Sequence, residues 1–257
     1  MVRGLYTAYT GMANEQERLD IIANNLANAS TVGYKGEGVT NQAFDDVLAV
    51  KIRDNSESYN DRRIGKMSLG VKLGEVYTDF SQGSLRETGQ TYDLALDGKG
   101  FFTLSVTDKA GNTTLKYTRN GSFTMTKDGY IVDSDGNRLM GEAGEIIVPV
   151  EAVDVVIDST GANYADGNYV DTIQVTDFED YKYLKKSGDT MYEPVDGAVT
   201  VDSGATVMQG YTEQSNINVV SEMVDMITVT RAYEANQKVI QSIDKTLDLA
   251  ANSVGKV

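Results

Sequence analysis

The 257-residue sequence contains no cysteine, no histidine and no tryptophan, and only two prolines. Without cysteine there is no disulfide, no thiolate nucleophile and no cysteine-ligated zinc. Without histidine the commonest general base and the commonest metal ligand are both missing. The two absences together weigh against an enzyme, and no catalytic, cofactor-binding or metal-binding residue is assigned. Basic residues are also scarce, 23 against 38 acidic ones, for a net charge of −15. A phosphate-binding surface needs a basic face, so nucleic acid is not an expected partner. Adsorption to anionic lipid is disfavoured for the same reason. No apolar run approaches the ~20 residues of a membrane span, so no direct membrane insertion is expected. The first thirty residues are interrupted by Asn14, Glu15, Gln16, Glu17, Arg18 and Asp20. They hold no apolar h-region, so if the chain leaves the cytoplasm it is not expected to use a cleaved signal peptide.

What is present is 40% hydrophobic residues, enough for a real core. The helical patterns lie at the two extremes of the chain. Leu5, Met12, Leu19 and Leu26 recur every seventh residue, with Ala8, Ile22 and Ala29 offset by three. This is a stripe along one face of a helix, and its regularity points to packing on another helix. Asn24, Asn25 and Asn28 are poor interior helix formers and suit a frayed last turn, with Gly33 beyond it. At the other end, residues 217–254 contain no Pro or Gly. Val219, Met226, Val229, Tyr233, Ile240, Ile243, Leu247, Ala250 and Val254 follow steps of three and four, with Glu222 and Asn236 as polar exceptions. At ~1.5 Å per residue this helix would run about 55 Å.

The middle reads as β-structure. Leu94–Leu96, Phe101–Val106, Ile146–Val148, Val153–Ile157 and Thr172–Phe178 are rich in β-branched and aromatic residues. Turn signals fall at Asp97-Gly98, Gly111-Asn112, Asn120-Gly121, Asp128-Gly129 and Asp135-Gly136. Gly161–Gly167 reads as a loop. Residues 35–75 carry scattered charge and apolars and read as an extended connector, with a short strand at Gly70–Val76 and mobility around 53–68. The fold class is therefore α+β: N- and C-terminal amphipathic helices forming a coiled-coil-like domain, and a β-rich middle domain. The boundaries expected are 1–34, 35–77, 78–206 and 207–257. A lone amphipathic helix is marginal in water. The ends are thus expected to gain order on association, around a protease-resistant core near residues 70–205.

Possible chemical motifs have plainer readings. Asp133-Ser134-Asp135-Gly136-Asn137 begins like a calcium loop, but its Gly is at the fourth position and Gly144 stands where a ligating Glu belongs. A hairpin turn fits better. Asp97-Gly98-Lys99-Gly100 lacks the phosphate-loop pattern. With 38 acids some carboxylates will always be neighbours, so a glycosidase pair is a remote reading.

Longer signatures carry a resemblance. Thr10-Gly11-Met12, Leu19–Asn28 and Ser30-Thr31-Val32-Gly33-Tyr34-Lys35 closely resemble the N-terminal signature of flagellar rod and hook proteins. Thr78–Leu85, Asp93–Leu96, Gly100-Phe101-Phe102 and Tyr117–Phe123 match the centre of that family. Gln209-Gly210, Ser215–Val220, Met226-Ile227 and Arg231–Glu234 complete the match at the C-terminus. The single modest β-domain resembles the rod proteins more than the hook protein, and the Thr78–Gly83 run resembles the distal-rod type, with the proximal-rod type the close alternative. The resemblance implies a structural subunit that assembles as a homo-oligomeric helical polymer. Expected partners are the other flagellar rod and hook proteins and the flagellar type III export apparatus. It also implies that the terminal helices form an inner layer and the β-domain an outer one. The expected assembly interface is Leu5, Met12, Leu19, Ile22, Leu26, Val219, Met226, Val229, Tyr233, Ile240, Ile243 and Leu247. A wall-cleaving glycosidase and a coiled-coil adhesion module are the alternatives from other classes.

Overall fold

The computed structural model describes residues 2–44, 47–50, 63–67, 70–107 and 111–254. Most of the stretch expected to be mobile lies outside them. The described chain is α+β, with a helix at each end and strands between. It divides into two compact units, neither continuous in sequence. The first comprises residues 1–26, 37–78 and 218–257; the second comprises residues 27–36 and 79–217.

In the first unit, helix α1 spans Val2–Ala27 and helix α2 spans Val219–Leu249. Asn218 caps α2, its side-chain oxygen accepting from the amides of Val220 and Ser221. After Leu249 the chain makes a single π-helical turn, Ala250–Val254, so the regular helix is shorter than the sequence suggests. Its 31 residues correspond to about 46 Å. The supposed connector is not structureless. Glu37–Ala43 pairs antiparallel with Val71–Thr78, and Val47–Val50 pairs with Arg63–Met67.

The second unit is built on the strand Phe101–Thr107, which pairs with Thr113–Thr118 on one edge. On its other edge lie Arg138–Leu139 and Val175–Phe178. Adjacent side chains of a strand point to opposite faces. Phe102 and Leu104 therefore enter one core with Leu94, Leu96, Phe123, Ile131 and Leu139. Phe101 enters a second, aromatic core with Tyr117, Phe178 and Tyr192. Burial on both faces extends to the small polar side chains of Thr103 and Ser105.

The turn signals divide. Gly111-Asn112, Asp128-Gly129 and Asp135-Gly136 each join strands that pair with one another. Asp97-Gly98 and Asn120-Gly121 are corners instead: Leu94–Asp97 pairs with Thr206–Gln209, far along the chain. Gly161–Gly167 is not a loop, because Ala162–Ala165 forms the middle strand of a three-stranded sheet between Val155–Ile157 and Asn168–Thr172. The Asp133 carboxylate accepts from the amides of Asp135 and Asn137 and from the Asn137 side chain, which fixes it in the hairpin.

Candidate assembly surface and buried joint

Within the first unit the two helices run antiparallel. A Cβ placed on Gly4 would lie 3.7 Å from Cδ1 of Ile243, and one on Gly11 would lie 2.9 Å from Nδ2 of Asn236. Asn25 donates a hydrogen bond to the Glu222 carboxylate. Each advance along α1 matches an equal retreat along α2. The two polar exceptions on the α2 stripe thus have assigned places. Asn236 sits over Gly11, where a Cβ would require the Asn236 side chain to shift, and Glu222 faces Asn25. Polar groups on an otherwise apolar seam fix register, because slippage would strand them.

Asn25 does not belong to a frayed turn. Asn25 is buried, and its side chain donates to the Glu37 carbonyl at 2.8 Å and accepts from the Glu37 amide at 3.0 Å. Asn14, also buried, donates to the Asn41 side-chain oxygen at 3.2 Å. Two side chains of α1 thereby hold the strand Glu37–Ala43. The Glu222 carboxyl is pushed above the usual carboxylate range, chiefly by burial and further by Asp225, while the Asn25 hydrogen bond opposes the shift.

The expected interface residues are unevenly covered. Ile22 and Val229 are buried. Leu5, Met12, Leu19, Leu26, Met226, Tyr233, Ile240 and Ile243 are half-buried, while Val219 and Leu247 are exposed. The seam uses part of this stripe and leaves part of its area uncovered. A second set of apolar side chains was not foreseen from the sequence. Val220, Met223, Val224 and Ile227 on α2, and Tyr6 and Tyr9 on α1, are all largely exposed.

Within the second unit distant segments of the chain meet in a buried ionic joint. Lys35 Nζ lies 2.6 Å from Glu213 Oε1, both side chains fully buried. Lys35 also donates to the Ser81 carbonyl at 2.7 Å. Arg119 reaches Glu213 Oε2 at 3.4 Å and donates to the Gly98 carbonyl. The Gly83 amide donates to Glu213 Oε1 at 2.9 Å. Burial pulls the Lys35 ammonium below the usual lysine range, and the Glu213 charge opposes this. One carboxylate thus serves two cations and an amide. Its bonding capacity is taken up by the fold, which suits a structural role. Gly33 brings Lys35 into place: its φ is +69°, and a Cβ there would lie 2.3 Å from the Asn120 backbone nitrogen. The joint left no local trace in the sequence, since its partners stand 178 and 94 positions apart.

Three family models match separate segments of the chain. A family model described as flagella basal body rod protein matches residues 5–35. One described as flagellar hook protein FlgE/F/G D1 domain matches residues 95–165. A third, flagellar basal body rod FlgEFG protein C-terminal, matches residues 208–253. The flagellar basal-body rod protein FlgG of Caulobacter vibrioides is 35% identical over 264 residues, covering 96% of this chain and 97% of the relative. The FlgG of Agrobacterium fabrum is 33% identical over 273 residues, covering 98% and 100%. The flagellar hook-basal body complex protein FlhO of Bacillus subtilis is 31% identical over 272 residues, covering both chains fully.

Proposed function

The chain belongs to the flagellar basal-body rod protein family, and from that premise we propose how it works as a rod subunit. Copies associate through their terminal helices into a helical polymer, the tubular shaft that carries motor torque to the hook. The chain is a structural subunit of the flagellar rod, sited in the basal body. Among the described residues no helix is long and apolar enough to cross a membrane. The polymer itself, the torque-bearing role and delivery by the type III export apparatus belong to the proposal. So do the distal-rod position, supported by the FlgG relatives, and the absence of catalysis, supported by the structural character of the family.

One observation carries the proposal. Of the 31 residues of α2 only Val229 is buried within this chain, although the helix bears an apolar seam along its length. A helix draws most of its stability from packing of such a face. The remaining area is available to other subunits.

The test places a charge on the seam. Leu19→Asp and Ile240→Asp each put a carboxylate where burial of an aliphatic side chain contributes ~1.5–3 kcal/mol. Leaving that carboxylate unpaired in a closed interface costs several kcal/mol more. Both variants are expected to abolish motility and rods seen by electron microscopy. Thermal unfolding of the β-unit should remain that of the parent. Normal rods in both variants would overturn the interface assignment.

A further inference from the structure

The β-unit is completed by a segment unlike the rest of it. Residues 206–217 supply its last two strands, Thr206–Gln209 and Tyr211–Glu213. Each pairs on one edge only, with Leu94–Asp97 and Leu85–Glu87, in sheets of two strands. Phe101–Thr107, by contrast, has neighbours on both edges within a nine-stranded sheet. Val207 is the one buried apolar side chain of the segment.

Polar bonds do most of the holding. Gln209 donates to the carbonyls of Thr91 and Val155 and accepts from the Ile157 amide. Glu213 pairs with Lys35 and Arg119. Asn216 donates to the Asp79 carbonyl and accepts from the Gly36 amide. Two polar groups are less well placed: Thr212 Oγ1 and Gln214 Nε2 are buried without a hydrogen-bond partner. A buried donor or acceptor left unpaired costs its desolvation. Closing the segment thus sets ion pairs and hydrogen bonds against two orphaned groups.

The partners are also remote in sequence. Glu213 meets Lys35 across 178 positions and Gly83 across 130, and Asn216 meets Gly36 across 180. The entropy of closing such loops is lost before the contacts reward it, so they form late. Local opening is easiest where apolar contacts are few.

We propose that residues 206–217 are a strap that closes last on the β-unit and opens first, as one piece, with Glu213 as its clasp. A chain presented N-terminus first keeps its β-unit unlatched until residue 217 is available. The strap runs into α2 at Val219, so opening it also unties the root of that helix. The inference concerns the single chain and holds whether or not copies polymerise.

The absence of native cysteine lets one introduced thiol report one place. Thr212→Cys and Val207→Cys probe the strap, and Ser105→Cys probes the central strand. The native side chains are 1%, 4% and 5% exposed. The full-length, unassembled chain is treated with a thiol reagent at urea concentrations below its unfolding transition. Each rate is divided by that of the same thiol in the unfolded chain. Static burial ranks position 105 as the most reactive. The strap reverses that order: both strap thiols should label at least about tenfold faster than position 105. Their rates should also rise less steeply with urea, because opening the strap exposes less surface than unfolding the unit. Adding Glu213→Gln should speed strap labelling on the order of a hundredfold. Two strap probes keep the comparison readable if either substitution unfolds the unit. Equal rates and equal urea slopes at strap and central positions mean that the unit opens only as a whole, and overturn the strap. Separate strap opening that Glu213→Gln leaves unchanged overturns the clasp.

Discussion

The two units of this chain solve burial in opposite ways. In the β-unit five of the seven residues of Phe101–Thr107 are buried, with a core on each side of the strand. In the helical unit the 31-residue α2 buries only Val229. The contrast is not one of hydrophobic content, since α2 carries valine, isoleucine, methionine and leucine throughout. It is one of where the partners are. The β-unit finds its partners within one chain, even when they are 178 positions apart, as with Lys35 and Glu213. The helical unit has partners within the chain for one seam only. In the proposed assembly, intrachain stability rests in one unit and association between copies in the other, so each should break without the other.

The largest expected effect lies in the β-unit. Glu213→Gln removes the carboxylate that pairs with both Lys35 and Arg119 in the joint and leaves two cations buried together. Breaking a buried ion pair on one side typically costs 3–5 kcal/mol. The unfolding free energy of the β-unit should fall by about that amount, read as a lowered melting temperature. The comparison would fail if Glu213→Gln left the unit's melting unchanged. Lys35→Met should cost less, because Arg119 still answers the Glu213 charge.

A middle-sized effect concerns where the units end. Residues 27–36 and 206–217 belong with the β-unit, through the joint and through the pairing of Thr206–Gln209 and Tyr211–Glu213 with earlier strands. Limited proteolysis of the unassembled chain should therefore spare a core extending to about residue 27 and to about residue 217. That is wider than the 70–205 core expected from pattern alone. Early cleavage between residues 28 and 36, detected by mass spectrometry, would show that the joint does not hold the N-terminal segment.

Much of this division was legible in the sequence, and the rest failed for identifiable reasons. On α2 the three-four steps carry the positions that meet α1, Ile243, Asn236 and Glu222, whereas on α1 the contacting Gly4, Gly11 and Asn25 lie beside the seven-residue recurrence and not on it. Periodicity is local, so it survives in one sequence. Ala162–Ala165 was misread because it holds no β-branched residue and is bracketed by turn residues, Gly161 and Gly167 both at positive φ. Its pairing with Val155–Ile157 makes it a strand, a tertiary effect overriding propensity. The Lys35–Glu213–Arg119 joint was invisible because nothing local distinguishes a lysine that will be buried from one that will not. The Val220–Ile227 stripe was hidden by its neighbour, since one helix can carry two apolar faces and the longer drew the reading. Asn25 was judged by propensity, but its role is a clamp on Glu37.

The smallest expected effect concerns pH and belongs to the helical unit. Glu222 lies in the first turn of α2, where a helix N-terminus favours a negative charge. Burial nevertheless raises its carboxyl above the ordinary range, and Asp225 adds to the shift, against the hydrogen bond from Asn25. A raised folded-state value means that the folded helical pair holds the proton more tightly than the unfolded chain does. By linkage the pair is most stable below the ordinary carboxylate pKa. That contribution is lost as pH rises from the ordinary value through the raised one. Above both values the charge remains as a small, constant destabilisation, screened because Glu222 is only partly covered. Glu222→Gln keeps the shape and an acceptor for Asn25 while removing the titration. The variant should flatten the weakly acidic part of the helical unit's stability curve, followed by far-ultraviolet circular dichroism between pH 4 and 7. At neutral pH it should be slightly more stable than the parent. A parent whose helical signal strengthens as pH rises through this range, with the glutamine variant following the same curve, would remove Glu222 as the source. The same titration should leave the melting of the β-unit in Glu222→Gln identical to the parent at every pH, which sets the two units apart by a change of one proton.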